Sequence, residues 1–303
     1  MQTSGSRYKT EVVICSHENG ELSAKMKQLS DRDNHYNLYP LFHNINVLDN
    51  LDNFIRKIDY RKRKLPSILL ITLPKSGSMY ICNSLMGQCG LRPVITGDHT
   101  FPFAPIYADK LKKFALGCAI DQAHYMPTTK NLSLLKEEGI LKLVVHFRDP
   151  RQALLSWVHY VDKLNDRGIV QWEQDVELPS NYFTKSLEEK TDFMIEHFYP
   201  HLVSFISKWL CYERDGVSKW GIEVLFTEFR KMKNTPDYFF EEICKFYNIK
   251  LSNLDRNYNS TSAHSHDRKG EVDEWRKIFT VAQIDRTTAM LNDDILERFV
   301  WSK

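Results

Sequence analysis

The run Ser67-Ile68-Leu69-Leu70-Ile71-Thr72-Leu73 is almost continuously apolar, with no alternation of polar and apolar positions. A short run of that kind reads as a strand buried on both faces. The residues that follow, Pro74-Lys75-Ser76-Gly77-Ser78-Met79-Tyr80, make a tight basic loop. Ile81-Cys82-Asn83-Ser84-Leu85-Met86 then reads as the first turns of a helix that ends near Gly90. Strand, basic turn and helix start are the geometry of an oxyanion cradle, because backbone N–H groups and the helix dipole both favour negative charge there. A lysine within the turn adds a point charge able to meet a developing negative oxygen. The loop departs from the Walker pattern G-x-x-x-x-G-K-[ST], since Lys75 precedes the loop's only glycine.

The rest of the chain supplies the partners such a strand needs. Glu11–Cys15 reads as a short strand, and Asn46–Tyr60 carries apolar residues at helical spacing. Arg61-Lys62-Arg63-Lys64 reads as a solvated turn rather than a polyanion or targeting patch. Val94-Ile95, Phe114–Ile120, Leu141–Phe147 and Ile222–Phe226 are further expected strands. Arg151–Leu164 reads as an amphipathic helix after the turn Arg148-Asp149-Pro150, and Ser186–Glu213 as helix kinked or split at Pro200. Asn165–Ser180 is a polar loop of the kind that can cover a site. Thr235-Pro236 fits a helix cap, and one last helix is expected over Ala282–Arg298. Alternating strands and helices predict an α/β fold: a single domain over residues 65–303, with a mostly parallel sheet flanked by helices. Residues 1–64 form an N-terminal extension.

In such sheets ligands bind at the carboxyl ends of the strands. Lys75, His124 and Arg148 all follow expected strands, and Arg268-Lys269-Gly270 sits in a loop. Several cationic clusters and a histidine suit a doubly phosphorylated nucleotide and an acceptor. Ser156 lies eight residues after Arg148, two turns into the next helix, and both side chains can reach one anion. Taken alone, that pair reads more readily as an arginine paired with a carboxylate and a serine buried in a helix. His124, at a strand end beside the loop, is a candidate general base. Asp98, His99, Phe101, Asp121 and Trp172, with Glu173 and Asp175, are candidates for an acceptor pocket, and equally for ordinary loops.

Composition narrows the partners. A net charge of +2 over 303 residues lacks the basic footprint of a general nucleic-acid binder. No apolar stretch reaches the roughly 18 residues of a membrane span, and the polar start Met1–Glu11 lacks a signal-peptide core. Six cysteines without a C-x-x-C pair fit reduced thiols in a cytoplasmic protein, with no metal expected.

Together these residues resemble the cytosolic sulfotransferases. Pro74–Tyr80 resembles the family's PKSGTTW loop, and Arg148 with Ser156 matches its arginine and serine in context and spacing. Arg268-Lys269-Gly270-Glu271-Val272-Asp273-Glu274-Trp275 looks like the RKGxxGDW motif, and Phe279-Thr280-Val281-Ala282-Gln283 continues the similarity. Ala123-His124-Tyr125-Met126-Pro127 falls where the family has its catalytic histidine. The resemblance covers about Leu65 to Asp285.

It implies 3′-phosphoadenosine 5′-phosphosulfate as donor and adenosine 3′,5′-bisphosphate as product, with no metal. The implied reaction is in-line sulfuryl transfer to a hydroxyl or amine of a small molecule. Lys75, His124 and Ser156 take catalytic roles, and Lys75–Tyr80, Arg148, Ser156, Thr227 and Arg268–Gly270 hold the nucleotide. It also implies a homodimer through Arg276, Thr280, Val281 and Asp285. Four departures stand out: Tyr80 for tryptophan, Met79 for threonine, Gln122 for a frequent lysine, and Asp273-Glu274 for Gly-Asp. Two other classes fit parts of the pattern: a binding protein that keeps the nucleotide site without turnover, and a P-loop kinase. The kinase would need a Walker loop and magnesium carboxylates.

Overall fold

The computed structural model describes residues 46–168, 176–250 and 271–301. The chain divides between Asp52 and Asn53 into a shorter and a larger compact unit, and the larger carries the sheet. Five strands, β1 (Ile68–Thr72), β2 (Arg92–Pro93), β3 (Ala119–Ala123), β4 (Lys142–Phe147) and β5 (Glu223–Glu228), lie in the order β2-β3-β1-β4-β5. Every pairing is parallel. The expectation for Glu11–Cys15 falls outside the described residues.

The helices are α1 (Asn46–Arg63), α2 (Ser78–Cys89), α3 (Ala108–Phe114), α4 (Thr129–Glu137), α5 (Pro150–Asp166), α6 (Leu187–His197) and α7 (Tyr199–Cys211). They continue as α8 (Val217–Trp220), α9 (Phe229–Asn234), α10 (Pro236–Phe246), α11 (Trp275–Ile278), α12 (Val281–Ala289) and α13 (Asp293–Arg298).

β1 sits in the middle of the sheet and all five of its residues are buried. Its alternate side chains feed two cores. Leu69 and Ile71 join Val145, Phe147, Leu154, Val158 and Phe205 on one face. Ile68 and Leu70 join Ile120, Val144, Ile81, Leu85, Phe239 and Ile243 on the other. At about 1.5–3 kcal/mol for each large apolar side chain removed from water, this two-sided burial fixes the register of the central strand. The winding turns at β1, with β3 on one side and β4 on the other. The crevice outside that point is where a doubly wound sheet binds ligands.

Four local expectations are corrected. The apolar run Phe114–Ile120 is not one strand: Phe114 ends α3, and Gly117 (φ 94°) and Cys118 (φ 55°) turn the chain before β3 begins at Ala119. A Cβ at Gly117 would stand 2.2 Å from the Tyr60 ring, so only glycine fits this turn.

The basic run is no solvated turn either. Arg61–Arg63 form the last turn of α1, where cations suit the helix dipole. Arg63 pairs with Asp59 and donates to the carbonyls of Cys89 and Gly90, the end of α2.

The expected last helix breaks in two, because Asn292 accepts from Ile295 N and starts α13 afresh. Thr235 stands at the cap position of α10, but its hydroxyl donates to Lys231 O instead of capping. The split at Pro200 is as expected, with the proline in the first turn of α7 and a Ser186/Glu189 capping box opening α6.

Candidate functional site

The loop after β1 leads directly into α2. Lys75 takes a left-handed backbone (φ 61°) and so does Gly77 (φ 85°), the residue that opens the helix. The cap position of α2 is Gly77, which has no side chain with which to cap the N–H groups of the first turn. An uncapped helix start behind a left-handed glycine suits an anion. A Cβ at Gly77 would lie 3.0 Å from Met232 and 3.3 Å from Phe229, so this corner is closed to larger residues as well as strained for them. Ser76 is buried and donates to Leu73 O at 2.6 Å, which pins the turn. Met79 is exposed in the first turn, and Tyr80 packs its ring 6.0 Å from Phe240.

Lys75 Nζ lies 3.9 Å from the centre of the Tyr160 ring. Tyr160 is on α5, one turn beyond the half-buried Ser156, so the two occupy one helix face. α5 starts where Asp149 accepts from Arg151 N with Pro150 in the first turn, which explains why a helix begins here.

His124 follows β3, and pairing of Ile71 with Ala123 brings it beside Thr72 at the end of β1. Its Nδ1 lies 2.6 Å from the Thr72 carbonyl oxygen. A carbonyl only accepts, so Nδ1 carries the proton and Nε2 keeps its lone pair. Burial, with smaller help from nearby His99 and Lys75, pushes the ring down to about 4, so it is neutral at pH 7. Gln122 donates to the Thr72 hydroxyl at 3.3 Å.

Arg148 follows β4. Its guanidinium donates to the carbonyls of Lys75 and Glu271, both at 2.8 Å, and lies 4.0 Å from the Phe229 ring centre. Two backbone carbonyls and an aromatic face are thus among its partners. Arg148 also lines a small open cleft with Gln152, Glu228, Phe229, Arg230 and Asp273. Asp273, where the resembled motif has glycine, keeps a left-handed backbone (φ 62°), and Arg230 donates to its carboxylate at 2.9 Å. Thr227 lies within β5, one residue beyond the expected strand, and is buried.

Asp98, His99, Phe101 and Asp121 gather on the His124 side. Both acids serve their own chain. Asp98 accepts from Thr100, and Asp121 accepts from Thr96 N and Oγ1 and faces His99 Nε2 at 3.4 Å. Phe101 is buried, with its ring edge-on to His124 and Phe198. Trp172, Glu173, Asp175, Arg268, Lys269 and Gly270 lie outside the described residues. Of the dimer segment, Arg276 stacks on Trp275, Thr280 caps α12, and Val281 and Asp285 are exposed. Among the described residues no three metal-binding side chains cluster, and no helix is long and apolar enough to cross a membrane.

One site residue lay hidden in the sequence. His146 sits inside the apolar β4 run and is wholly buried. It contacts Ser76 O through Nε2 (3.0 Å) and the Thr227 hydroxyl through Nδ1 (2.9 Å). Its expected separation from the loop, seventy residues in sequence, vanishes in the pairing of Thr72 with His146 and of His146 with Thr227. Burial pushes His146 down to about 3.

Two neutral histidines, His146 buried and His124 half-buried, make the fold acid-sensitive. The unfolded chain binds these protons near pH 6.5, the folded chain only near 3–4. Stability is therefore full above about pH 6.5 and falls as pH drops from there toward 4, by up to about 1.4 kcal/mol per pH unit for each ring. Urea midpoints that decline over this window in the parent, and less steeply in His146→Gln, are the expected result. A flat profile from pH 7 to 4 contradicts it.

No family model matches the chain. Among solved structures it is similar to mouse sulfotransferase SULT7A1 complexed with PAP, at 15% identity and a TM-score of 0.52, over 78% of this chain and 87% of that one. It is also similar to a sulfotransferase from Alicyclobacillus acidocaldarius, at 12% identity and a TM-score of 0.41, over 74% and 95% of the two chains. In its central parallel sheet, its flanking helices and its strand–loop–helix at β1, this chain has the fold of a sulfotransferase.

Proposed function

We propose that the chain transfers a sulfuryl group from 3′-phosphoadenosine 5′-phosphosulfate to a hydroxyl or amine of a small-molecule acceptor. The observation that carries this reading is the meeting, at the end of β1, of an uncapped left-handed loop, Lys75, and a histidine with a fixed tautomer. The SULT7A1 structure was solved with PAP, which supports the same choice of nucleotide.

The donor fits the residues present. The first turn of α2 would hold its 5′ end, while Arg148, Ser156 and Arg268-Lys269-Gly270 would hold the 3′-phosphate. Tyr80 and Thr227 complete the proposed nucleotide site. Bound there, the donor supplies an activated sulfuryl group and a bisphosphate that leaves with the bond electrons. The chain's own task is positioning and proton transfer. His124 Nε2, aimed by the Nδ1–H bond to Thr72 O, accepts the acceptor's proton. Lys75 meets negative charge growing on the bridging oxygen. Remote anchoring of the 3′-phosphate fixes the reacting end.

A panel of alcohols, phenols and amines incubated with sulfur-labelled donor tests the reading: label moves to an acceptor and adenosine 3′,5′-bisphosphate appears in equal amount. A second reading, a nucleotide-binding protein without turnover, draws on Gln122, which is tied to Thr72 and brings no charge. Bisphosphate that binds while no acceptor or water takes label favours that second reading.

A further inference from the structure

The loop after β1 is set from below by β4. In a planar trans peptide the C=O of one residue and the N–H of the next point in opposite directions. Whatever grips a loop carbonyl therefore aims the following N–H the other way. Two successive loop carbonyls are gripped by side chains at the end of β4: Lys75 O by Arg148 and Ser76 O by His146. The following donors, Ser76 N–H and Gly77 N–H, are thereby turned away from the sheet.

His146 is built for this task. A carbonyl can only accept, so its Nε2 donates to Ser76 O, and Nδ1 accepts from the Thr227 hydroxyl. The ring stands edge-on to Phe239, 5.5 Å between centroids, which together with Thr227 leaves it one orientation.

We propose that His146 is a positioning residue: by holding Ser76 O against the end of β4 it turns the Gly77 N–H toward the 5′ end of the bound nucleotide. This rests on the nucleotide reading above. It deepens that reading by assigning the order of the cradle to a buried hydrogen bond rather than to the loop's own sequence.

Calorimetry with two nucleotides tests it. Adenosine 3′,5′-bisphosphate carries the group the loop holds; adenosine 3′-monophosphate lacks it. His146→Phe removes both hydrogen bonds at similar volume. It is expected to weaken bisphosphate binding at least about tenfold, the worth of one charge-assisted hydrogen bond. Binding of the 3′-monophosphate stays within about twofold of the parent. His146→Asn keeps an amide on the Thr227 side but falls short of Ser76, and gives the same selective loss. His146→Gln reaches Ser76 O with its amide and recovers bisphosphate binding to within about threefold. Melting temperatures confirm folded protein, and the Asn and Gln variants carry the test if the Phe variant does not fold. Equal weakening of both nucleotides, or no weakening of either, overturns the proposal while the nucleotide site stands. A parent protein that binds neither nucleotide overturns the nucleotide reading and this proposal with it.

Discussion

Lys75→Ala lowers turnover at least about a hundredfold, with the fold intact. Removing one group that stabilises developing charge costs about a hundred- to a thousandfold in rate, because the charge then grows in a site with no compensating cation. The proposed role places Lys75 in the loop after β1, where its ammonium lies 3.9 Å from the centre of the Tyr160 ring. An aromatic face favours a cation without neutralising it. The backbone does not depend on the side chain, since Arg148 holds the Lys75 carbonyl and Ser76 pins the turn. The loss therefore falls on kcat more than on donor KM. Steady-state release of adenosine 3′,5′-bisphosphate, with an acceptor drawn from the panel, measures it. A loss below about tenfold contradicts the role.

The second large effect is at His124. His124→Ala is expected to lose about a hundredfold or more, the low end of a general-base contribution. The pH profile separates a base from a mere wall of the pocket. In the free enzyme the ring is held neutral down to about pH 4, so the acid limb of kcat/KM lies well below the 6.5 of an exposed histidine. A bound polyanion favours the imidazolium, so the acid limb of kcat lies higher than that of kcat/KM. Both limbs disappear in His124→Ala if this ring is the base. Turnover in the alanine variant near that of the parent, or an unchanged acid limb, removes His124 from the mechanism.

The parts of the fold legible in the sequence were those written as continuous local signals. The apolar run at β1, the glycines at either end of α2, the Asp-Pro start of α5 and the proline in the first turn of α7 each state their structure within a few residues. Where two signals overlapped, the apolar pattern misled. Phe114–Ile120 is apolar throughout, yet its first residue belongs to a helix whose other buried face is a single leucine, Leu111. Ala282–Arg298 keeps helical spacing across a real break, because Asn292 caps a new helix without interrupting the apolar period.

The placement of the candidate site was legible to the same extent. Lys75, His124 and Arg148 were visible because each follows a strand and the fold class says what strand ends do. His146 was not visible, because a histidine inside an apolar strand has no local signal. Its partners Ser76 and Thr227 come from β-pairing across distant parts of the chain. Nor did the sequence show that the carboxylates of Asp98 and Asp121 would be used by Thr100 and Thr96. Asp273 is the reverse case. As a residue type it breaks the resembled motif, yet its backbone keeps the left-handed turn that glycine adopts most easily.

The most direct test of a site built for a 3′,5′-bisphosphate nucleotide is calorimetric titration of the full chain with adenosine 3′,5′-bisphosphate and, separately, with ATP and magnesium. The uncapped loop at α2 and the arginine after β4 predict saturable one-to-one binding of the bisphosphate and at least about a hundredfold weaker binding of ATP with magnesium. Binding of ATP with magnesium as tight as, or tighter than, the bisphosphate would contradict the account.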